Sequence, residues 1–534
     1  MDVVNAKTFD ADRVSGQSTS VIRALFVITV MLAGSLFWMA PRLPLSDLPQ
    51  HAAQVALLHD LLVHASPWSE LVRINYFTPY LIGYGLALPL TFVVSVSSAL
   101  KAVLTLAFFG FVGASVALRR ALGGDPRLDW LFIPGYFGYA FIWGFYTFLV
   151  AAPITIVFIL IAQAYAKAPS PGRGASLFLG GAVLFFSHGL MFLFGAGVGG
   201  LMLLARQRTL PRLIATCAPF VALGVLCVAY SIVMRATDPI IALGGRLDWG
   251  WDDMRRIGSL PLYVWSTSKH DSALLLATLA MFAAPWLLRD RPNWRDPMVL
   301  APFAVILLIW FVAPNEAMQT QLLYQRFAVL LLPAYAFAFC AGSAGATPGG
   351  LTQRAAASPR GGAVGARGSR RDTAVQLLLA LACWIGLGAH AVRLHRFEAE
   401  SASFERLLEH AEPGQRALSV ILDDTSPAYA GNSAYRHYPV WYQAEKSGLV
   451  DMNFAWYVPE IIRYRSDHLP AVRPGTFFTA DHFDWDGTNA QIYRYFFVRS
   501  STPVTADYFA NPHCTVALIA QADQWSLFER QSCK

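Results

Sequence analysis

Long stretches almost free of charge recur along this chain from Val21 to Val392, near 21–40, 100–118, 130–146, 148–166, 175–188, 190–205, 213–234, 271–288, 298–313, 327–345 and 373–391. An apolar run of about 20 residues is what a helix needs to cross the hydrocarbon core of a bilayer. A backbone in lipid must satisfy its own hydrogen bonds, so repeated runs of this kind define a polytopic α-helical membrane protein. Composition agrees, since 14% of residues are charged against roughly 25% in an ordinary soluble domain, and mean hydropathy is +0.44. A soluble enzyme, a disordered chain and a coiled coil are excluded. The net charge of +7 does not imply a nucleic-acid partner, because the basic residues gather on no single soluble face.

They punctuate the loops between apolar runs instead. With the N-terminus in the cytoplasm and eleven spans, the inner segments carry Lys7, Arg13, Arg23, Arg119, Arg120, Arg127, Lys167, Arg173, Arg206, Arg208, Arg212, Arg289, Arg291, Arg295, Arg354, Arg360, Arg367, Arg370 and Arg371. The outer loops of the membrane domain carry only Arg42, Arg73, Lys101, Arg235, Arg246, Arg255, Arg256, Lys269 and Arg326. This is the positive-inside bias. It requires that the further apolar stretch 77–98 not be a full span, and its Pro79, Gly83, Gly85 and Pro89 suit a broken juxtamembrane or re-entrant helix. The expected organisation is a cytoplasmic tail over 1–20 and a membrane domain over 21–392. That domain has a first outer loop at 41–99 and a Gly-, Ala-, Ser- and Arg-rich cytoplasmic loop at 346–372.

Beyond Val392 the character changes. Residues 393–534 hold 13 of the 41 basic and 17 of the 34 acidic residues, a soluble composition. Phe397, Phe404, Leu407, Leu408 and Ala411 form one face of an amphipathic helix that ends near Pro413-Gly414. Strand-like runs follow at 417–422, 492–499, 515–520 and 525–528, so the expectation is a periplasmic α/β or α+β domain. Cys217, Cys227, Cys340 and Cys383 fall in apolar runs as small buried thiols. Cys514 and Cys533 in the soluble domain are either a disulfide closing a terminal loop or two free thiols. No Cys/His spacing matches a zinc site.

All twelve histidines fall in outer segments or at the outer ends of spans, which makes the outer face the place for chemistry. The first outer loop holds Asp47-Leu48-Pro49-Gln50-His51, with Pro49 suited to a first helical turn. Asp47 is therefore either an ordinary helix cap or a general base or metal ligand activating an acceptor hydroxyl. His188, in Ser187-His188-Gly189, is a polar group at membrane depth or at the interface, and such groups are functional candidates. Two runs in the soluble domain mix aromatics with charge, 435–442 and 481–486. They suit either sugar recognition or an aromatic core and domain seam.

The layout of one span, an outer loop with an early acid, two juxtamembrane elements, many spans and a C-terminal periplasmic domain resembles the GT-C superfamily of polyprenyl-phosphate-sugar-dependent glycosyltransferases. The run Asp47-Leu48-Pro49-Gln50-His51 resembles the Asp-x-Pro-x-His start seen in bacterial membrane proteins of GT-C type. Asn75-Tyr76-Phe77-Thr78-Pro79-Tyr80 falls where that family has its second juxtamembrane helix. The resemblance implies that Asp47 is the catalytic residue of an inverting transfer. The donor would be a polyprenyl-phosphate sugar and the acceptor a lipid, glycan or protein at the periplasmic face of a bacterial inner membrane. Many members carry paired acids in this loop, whereas Asp47 stands alone, so a divalent cation is an open cofactor. For the substrates, His51, His188 and the outer-loop residues Gln321, Tyr324 and Arg326 are candidate ligands, with Arg73 and Lys101 as further cations for the lipid phosphate. The rival class is a non-catalytic transporter, flippase or scaffold for envelope glycans. A transporter favours related halves and ionisable residues deep in spans, and the chain shows neither.

Overall fold

The computed structural model describes residues 20–237, 247–250, 253–268, 270–317, 320–341, 361–429 and 431–534. The tail 1–19 with Lys7 and Arg13, the loop 342–360 with Arg354 and Arg360, and Arg246, Trp251, Asp252 and Lys269 lie outside the described residues. Among the described residues, six helices are long and apolar enough to cross a membrane: Ser20–Trp38, Val96–Leu122, Tyr146–Lys167, Gly189–Arg206, Ala218–Thr237 and the apolar part of the last. The last belongs to a continuous helix, Gly361–Glu409. It begins inside the stretch expected as a loop, 346–372, and runs unbroken past Val392 into the soluble domain. Shorter apolar helices, among them Pro171–Ser187, Ser272–Leu287 and Pro297–Val312, complete a multi-pass membrane protein.

Two of the expected helical spans have another form. The stretch 130–146 is no continuous helix but 3-10 turns at Pro126–Phe132 and Pro134–Phe137 followed by the short helix Tyr139–Trp143. Proline and glycine explain the break, and close packing makes it tolerable. A Cβ on Gly135 would lie 2.5 Å from the Val329 carbonyl oxygen, and one on Gly138 would lie 2.3 Å from that of Val264. Irregular backbone at membrane depth survives where protein surrounds it, and Leu131, Phe132, Ile133, Tyr136 and Phe137 are fully buried. The stretch 327–345 is helical only over Ala328–Phe337. At 1.5 Å per residue that helix is about 15 Å long, and nearly every residue in it is buried.

Helix α1 (Ser20–Trp38) leads into a loop and then into α2 (Leu48–Leu62). Strand β1 (Val72–Ile74) and helix α3 (Leu81–Ala87) follow before α4 (Val96–Leu122). The segment between β1 and α4 is tied to other parts of the chain at both of its ends. Asn75 N–H donates to Ile461 of the soluble domain at 2.7 Å, and Ser97 Oγ donates to the Pro41 carbonyl at 2.7 Å.

The soluble domain is built on a five-stranded mixed sheet of β2 (Arg416–Ile421), β3 (Leu449–Asp451), β5 (Tyr495–Arg499), β6 (Cys514–Ala522) and β7 (Trp525–Cys533), in the order β6-β7-β5-β2-β3. Strand β2 is parallel to both β3 and β5, and the other pairings are antiparallel. Cys514 and Cys533 face each other across the last hairpin and are joined by a disulfide. One face of the sheet packs on the aromatic cluster of Phe397, Phe404, Tyr435, Tyr438 and Trp525 at the end of the long helix. That cluster is continuous with the membrane core.

The remaining strand, β4 (Ile462–Tyr464), leaves this sheet and pairs antiparallel with β1, Arg73 opposite Arg463. The seam is tightened by two glutamines on α2 that act as substitute backbone. Gln54 accepts from Ile462 N–H at 2.8 Å and donates to its carbonyl at 3.3 Å. Gln50 does the same one stretch earlier, accepting from Phe454 N–H at 2.9 Å and donating to the Met452 carbonyl at 3.0 Å. Arg42 adds ion pairs to Glu405 and Glu445 at 2.9 and 2.6 Å. The soluble domain is thus fastened onto the first loop over most of its length, and what lies between them is held in fixed register.

Candidate active site

Between the first loop and the soluble domain lies a cavity of about 220 Å³, half open. Asp47, His51 and Tyr80 enter it from the first loop, Trp143 and Phe145 from the segment around Gly144, Gln321 and Arg326 from the loop before Ala328, and Arg436, His437, Tyr457 and Glu460 from the soluble domain.

Asp47 occupies the N-cap position of α2 without capping it: its carboxylate accepts no backbone N–H there. Pro49 in the first turn removes one of the donors a cap would serve. The Asp47 carbonyl takes Gln50 and His51 N–H at 3.0 and 3.2 Å, and its own N–H donates to the Trp143 carbonyl at 3.0 Å. The backbone is pinned from both sides while the carboxylate turns into the cavity. Burial pushes its pKa up to about 7, against the pull of Arg326 and Arg436, which lower it. Such a group is partly ionised at neutral pH and close to ideal for taking a proton. Gly144 makes the close approach possible. It holds φ +78°, and a Cβ there would lie 2.9 Å from Leu48 N and 3.0 Å from Asp47 N.

Arg326 is held by its own loop, Nε donating to the Leu322 carbonyl at 3.2 Å and Nη2 to that of Gln321 at 2.9 Å. Its guanidinium lies 3.7 Å from the Phe145 ring centroid. Arg436 donates to Asp424 at 3.0 Å and to the Ser433 hydroxyl at 3.2 Å, with its guanidinium 5.7 Å from the Trp143 ring centroid. His437 Nε2 sits 3.6 Å from Asp47 Oδ1.

On the facing wall Glu460 accepts from Tyr84 at 2.5 Å, and the Tyr84 hydroxyl in turn meets His51 Nδ1 at 2.7 Å. Burial pushes Glu460 up to about 8, and the nearby Asp47 adds to the rise. Burial also pushes His51 down to about 3. At neutral pH the cavity therefore presents one titrating carboxylate, one protonated carboxyl, neutral imidazoles and two guanidiniums.

Of the residues expected from the sequence, Asp47, His51, Gln321 and Arg326 come together here. His188 lies one layer behind, its ring 4.9 Å from that of Tyr80, where Nδ1 accepts from Leu190 N–H at 3.2 Å and starts the next helix. Tyr324 packs beneath the Arg256 guanidinium at 4.2 Å, away from the cavity lining. Lys101 donates to the Ala40 carbonyl at 2.6 Å beside Trp38, and Arg73 is a strand residue on β1. Neither lines the cavity. Glu460 and Tyr457 carried no periodic or motif signal. Arg436 and His437 stand in a run legible as either sugar recognition or domain seam, and the structure puts them on the seam and in the cavity at once. Among the described residues no group of three or more His, Cys, Asp or Glu is placed to hold a metal ion.

The long apolar helices and the mixed-sheet domain that closes a cavity over the first loop make up a fold also found among solved membrane-protein structures. In particular, the crystal structure of ArnT from Cupriavidus metallidurans bound to undecaprenyl phosphate matches with a TM-score of 0.52 at 12% identity, over 96% of this chain and 98% of that one. The cryo-EM structure of the arabinofuranosyltransferase AftD from Mycobacteria gives a TM-score of 0.46 at 13% identity, covering 96% of this chain and 40% of that one. No family model and no curated protein matches the sequence.

Proposed function

We propose that this protein moves a sugar from a polyprenyl-phosphate donor to a lipid, glycan or protein acceptor at the periplasmic face of a bacterial inner membrane, inverting the anomeric carbon. The observation that carries the reading is Asp47, turned away from its helix into a cavity with two guanidiniums near it. Asp47 takes the acceptor hydroxyl proton as that oxygen attacks the anomeric carbon, and the bond from that carbon to the phosphate oxygen breaks. Arg326 and Arg436 hold the phosphate, which gains a negative charge as it departs. The aromatic wall of Trp143, Tyr80, Phe454 and Tyr457 excludes water and offers flat faces to a sugar. Undecaprenyl phosphate bound to ArnT in the same fold supports a lipid phosphate in this role.

The eleven-pass topology belongs to this reading. Counting the broken segment 126–143 as one crossing and leaving 77–98 on the outer side places Asp47 and the soluble domain outside, where the Cys514–Cys533 disulfide is stable. The test is release of free lipid phosphate from a panel of polyprenyl-phosphate sugars by purified protein. Wild type releases it with at least one donor, and Asp47→Asn is slower by about 100-fold or more, the range lost with a general base. Equal rates for the two proteins overturn the assignment of Asp47, and no release with any donor favours a scaffold or transporter.

A further inference from the structure

Gln50 makes three contacts, and together they determine where a proton sits on His437. Its Oε1 accepts from Phe454 N–H at 2.9 Å, which fixes the amide orientation. Its Nε2 carries two hydrogens. One goes to the Met452 carbonyl at 3.0 Å, and the other points at His437 Nδ1, also at 3.0 Å. Nδ1 must then be the acceptor, and a neutral imidazole whose Nδ1 accepts carries its hydrogen on Nε2. Nε2 is the atom nearest Asp47 Oδ1, at 3.6 Å. The ring is buried against Phe454, centroids 5.5 Å apart, which limits its rotation. A second proton on Nδ1 would face the Gln50 N–H head on. Burial of the ring adds to this, and with the Arg436 guanidinium beside it pushes the imidazole down to about 3.

We propose that His437 is a positioning residue for Asp47: Gln50 locks it as the Nε2–H tautomer, and that N–H is aimed at one carboxylate oxygen so that the other is presented to the acceptor hydroxyl. The proposal rests on the transfer reading above and deepens it. The soluble domain thereby supplies part of the proton-transfer apparatus. His437 itself takes no proton in the reaction. Its Nε2 lies 3.6 Å from Asp47 Oδ1, and catalytic contacts of this kind tighten in the complex with substrate. The charged and titratable groups around Asp47 are Arg326, Arg436, Glu460, Tyr80 and Tyr457, with the His437 N–H the neutral donor among them.

The test has one arm independent of turnover. In full-length protein labelled with ¹⁵N-histidine, the His437 signals are assigned by their loss in His437→Gln. They are expected to show a protonated Nε2 and an unprotonated Nδ1, unchanged between pH 5.5 and 8.5. In Gln50→Glu the carboxylate draws a proton to Nδ1. A wild-type ring that is protonated on Nδ1, or that titrates in this interval, overturns the lock.

The second arm is the pH–rate profile. His437→Ala removes the N–H, lowers kcat by about 10- to 100-fold, as loss of an orienting partner commonly does, and moves the acid limb to higher pH with KM little changed. His437→Gln offers an amide N–H and recovers part of both effects. If the limb stays where wild type has it, and kcat falls only in step with thermal stability, the residue is structural and the positioning role is refuted. If wild type releases no lipid phosphate, the transfer reading and the positioning role fall together, while the spectrum still decides the tautomer.

Discussion

Two carboxyl groups with displaced pKa values meet across one cavity, Asp47 raised to about 7 and Glu460 to about 8, both mainly by burial. Their roles differ because only one can be charged near neutrality without cost. Below pH 7 Asp47, the proposed base, gains its proton, so the rate is expected to rise with pH through about 7. Above pH 8 Glu460 loses its proton, places a second negative charge beside Asp47 and would oppose the negative charge on the proposed leaving phosphate. The rate is therefore expected to fall again, giving a narrow bell in kcat/KM. Glu460→Gln keeps a neutral, hydrogen-bonding side chain at all pH values. It should leave the acid limb near 7 and abolish the alkaline fall near 8. A profile for Glu460→Gln that still falls near 8 assigns that limb to another group. Asp47 was legible in the sequence because it precedes a proline-started helix in the first outer loop. Glu460 was not, because nothing around Val458-Pro459-Glu460 differs from an ordinary loop. Only the pairing of β4 with β1, far apart in sequence, brings it opposite Asp47.

At the scale of elements, what positions the catalytic candidate is the contact between the Asp47 loop and the turn at Gly144. Hydropathy marked 130–146 as a span, since apolar residues dominate it, and a window of hydropathy reads neither Pro134 nor the glycines as breaks. The structure resolves the conflict by surrounding the broken backbone with the Ala328–Phe337 helix and the residues around Val264. The break is what lets Trp143 and Ile142 turn their carbonyls toward Asp47 and Ser46. Gly144→Ala should therefore act on both stability and catalysis. A non-glycine residue at φ +78° costs roughly 1–2 kcal/mol, and the added methyl pushes on the amide nitrogens of Asp47 and Leu48. The expected outcome is a lowered Tm with kcat reduced more than the fold's loss accounts for. Gly123→Ala, also at positive φ but with nothing within 4 Å of the added Cβ, should lower Tm by a similar amount and leave kcat alone. Equal effects of the two on kcat exclude a special role for the Gly144 contact. The strands of the soluble domain were largely legible by alternation. The β1–β4 pair was not, because three-residue strands that leave their own sheet carry too little pattern.

Across the whole molecule, ion pairs gather at one end of the membrane domain, and they bear on the proposed orientation. At one end of the membrane domain Arg127 pairs with Asp125, Asp290 and Asp372 at 2.5, 2.8 and 2.6 Å, and Arg119 with Asp129 at 2.9 Å. These arginines belong to the segments that the positive-inside count puts in the cytoplasm. The cavity, the disulfide and the soluble domain are at the other end. The acids beside the arginines were not used in the count, since Asp and Glu contribute little to it, and the folded chain uses them to tie helix ends together. Orientation can be tested directly with a membrane-impermeant maleimide on intact cells. In a chain lacking the free cysteines Cys217, Cys227, Cys340 and Cys383, single cysteines replace three exposed side chains. Tyr76→Cys and Phe477→Cys, at positions 62% and 83% exposed on the cavity side, should label in intact cells. Trp294→Cys, 75% exposed among Arg289, Arg291 and Arg295, should label only after the membrane is permeabilised. Labelling of Trp294→Cys alone in intact cells would invert the topology and place the cavity in the cytoplasm. Labelling of Tyr76→Cys without Phe477→Cys would separate the first loop from the soluble domain, which the paired strands and the two glutamines of α2 hold on the same side.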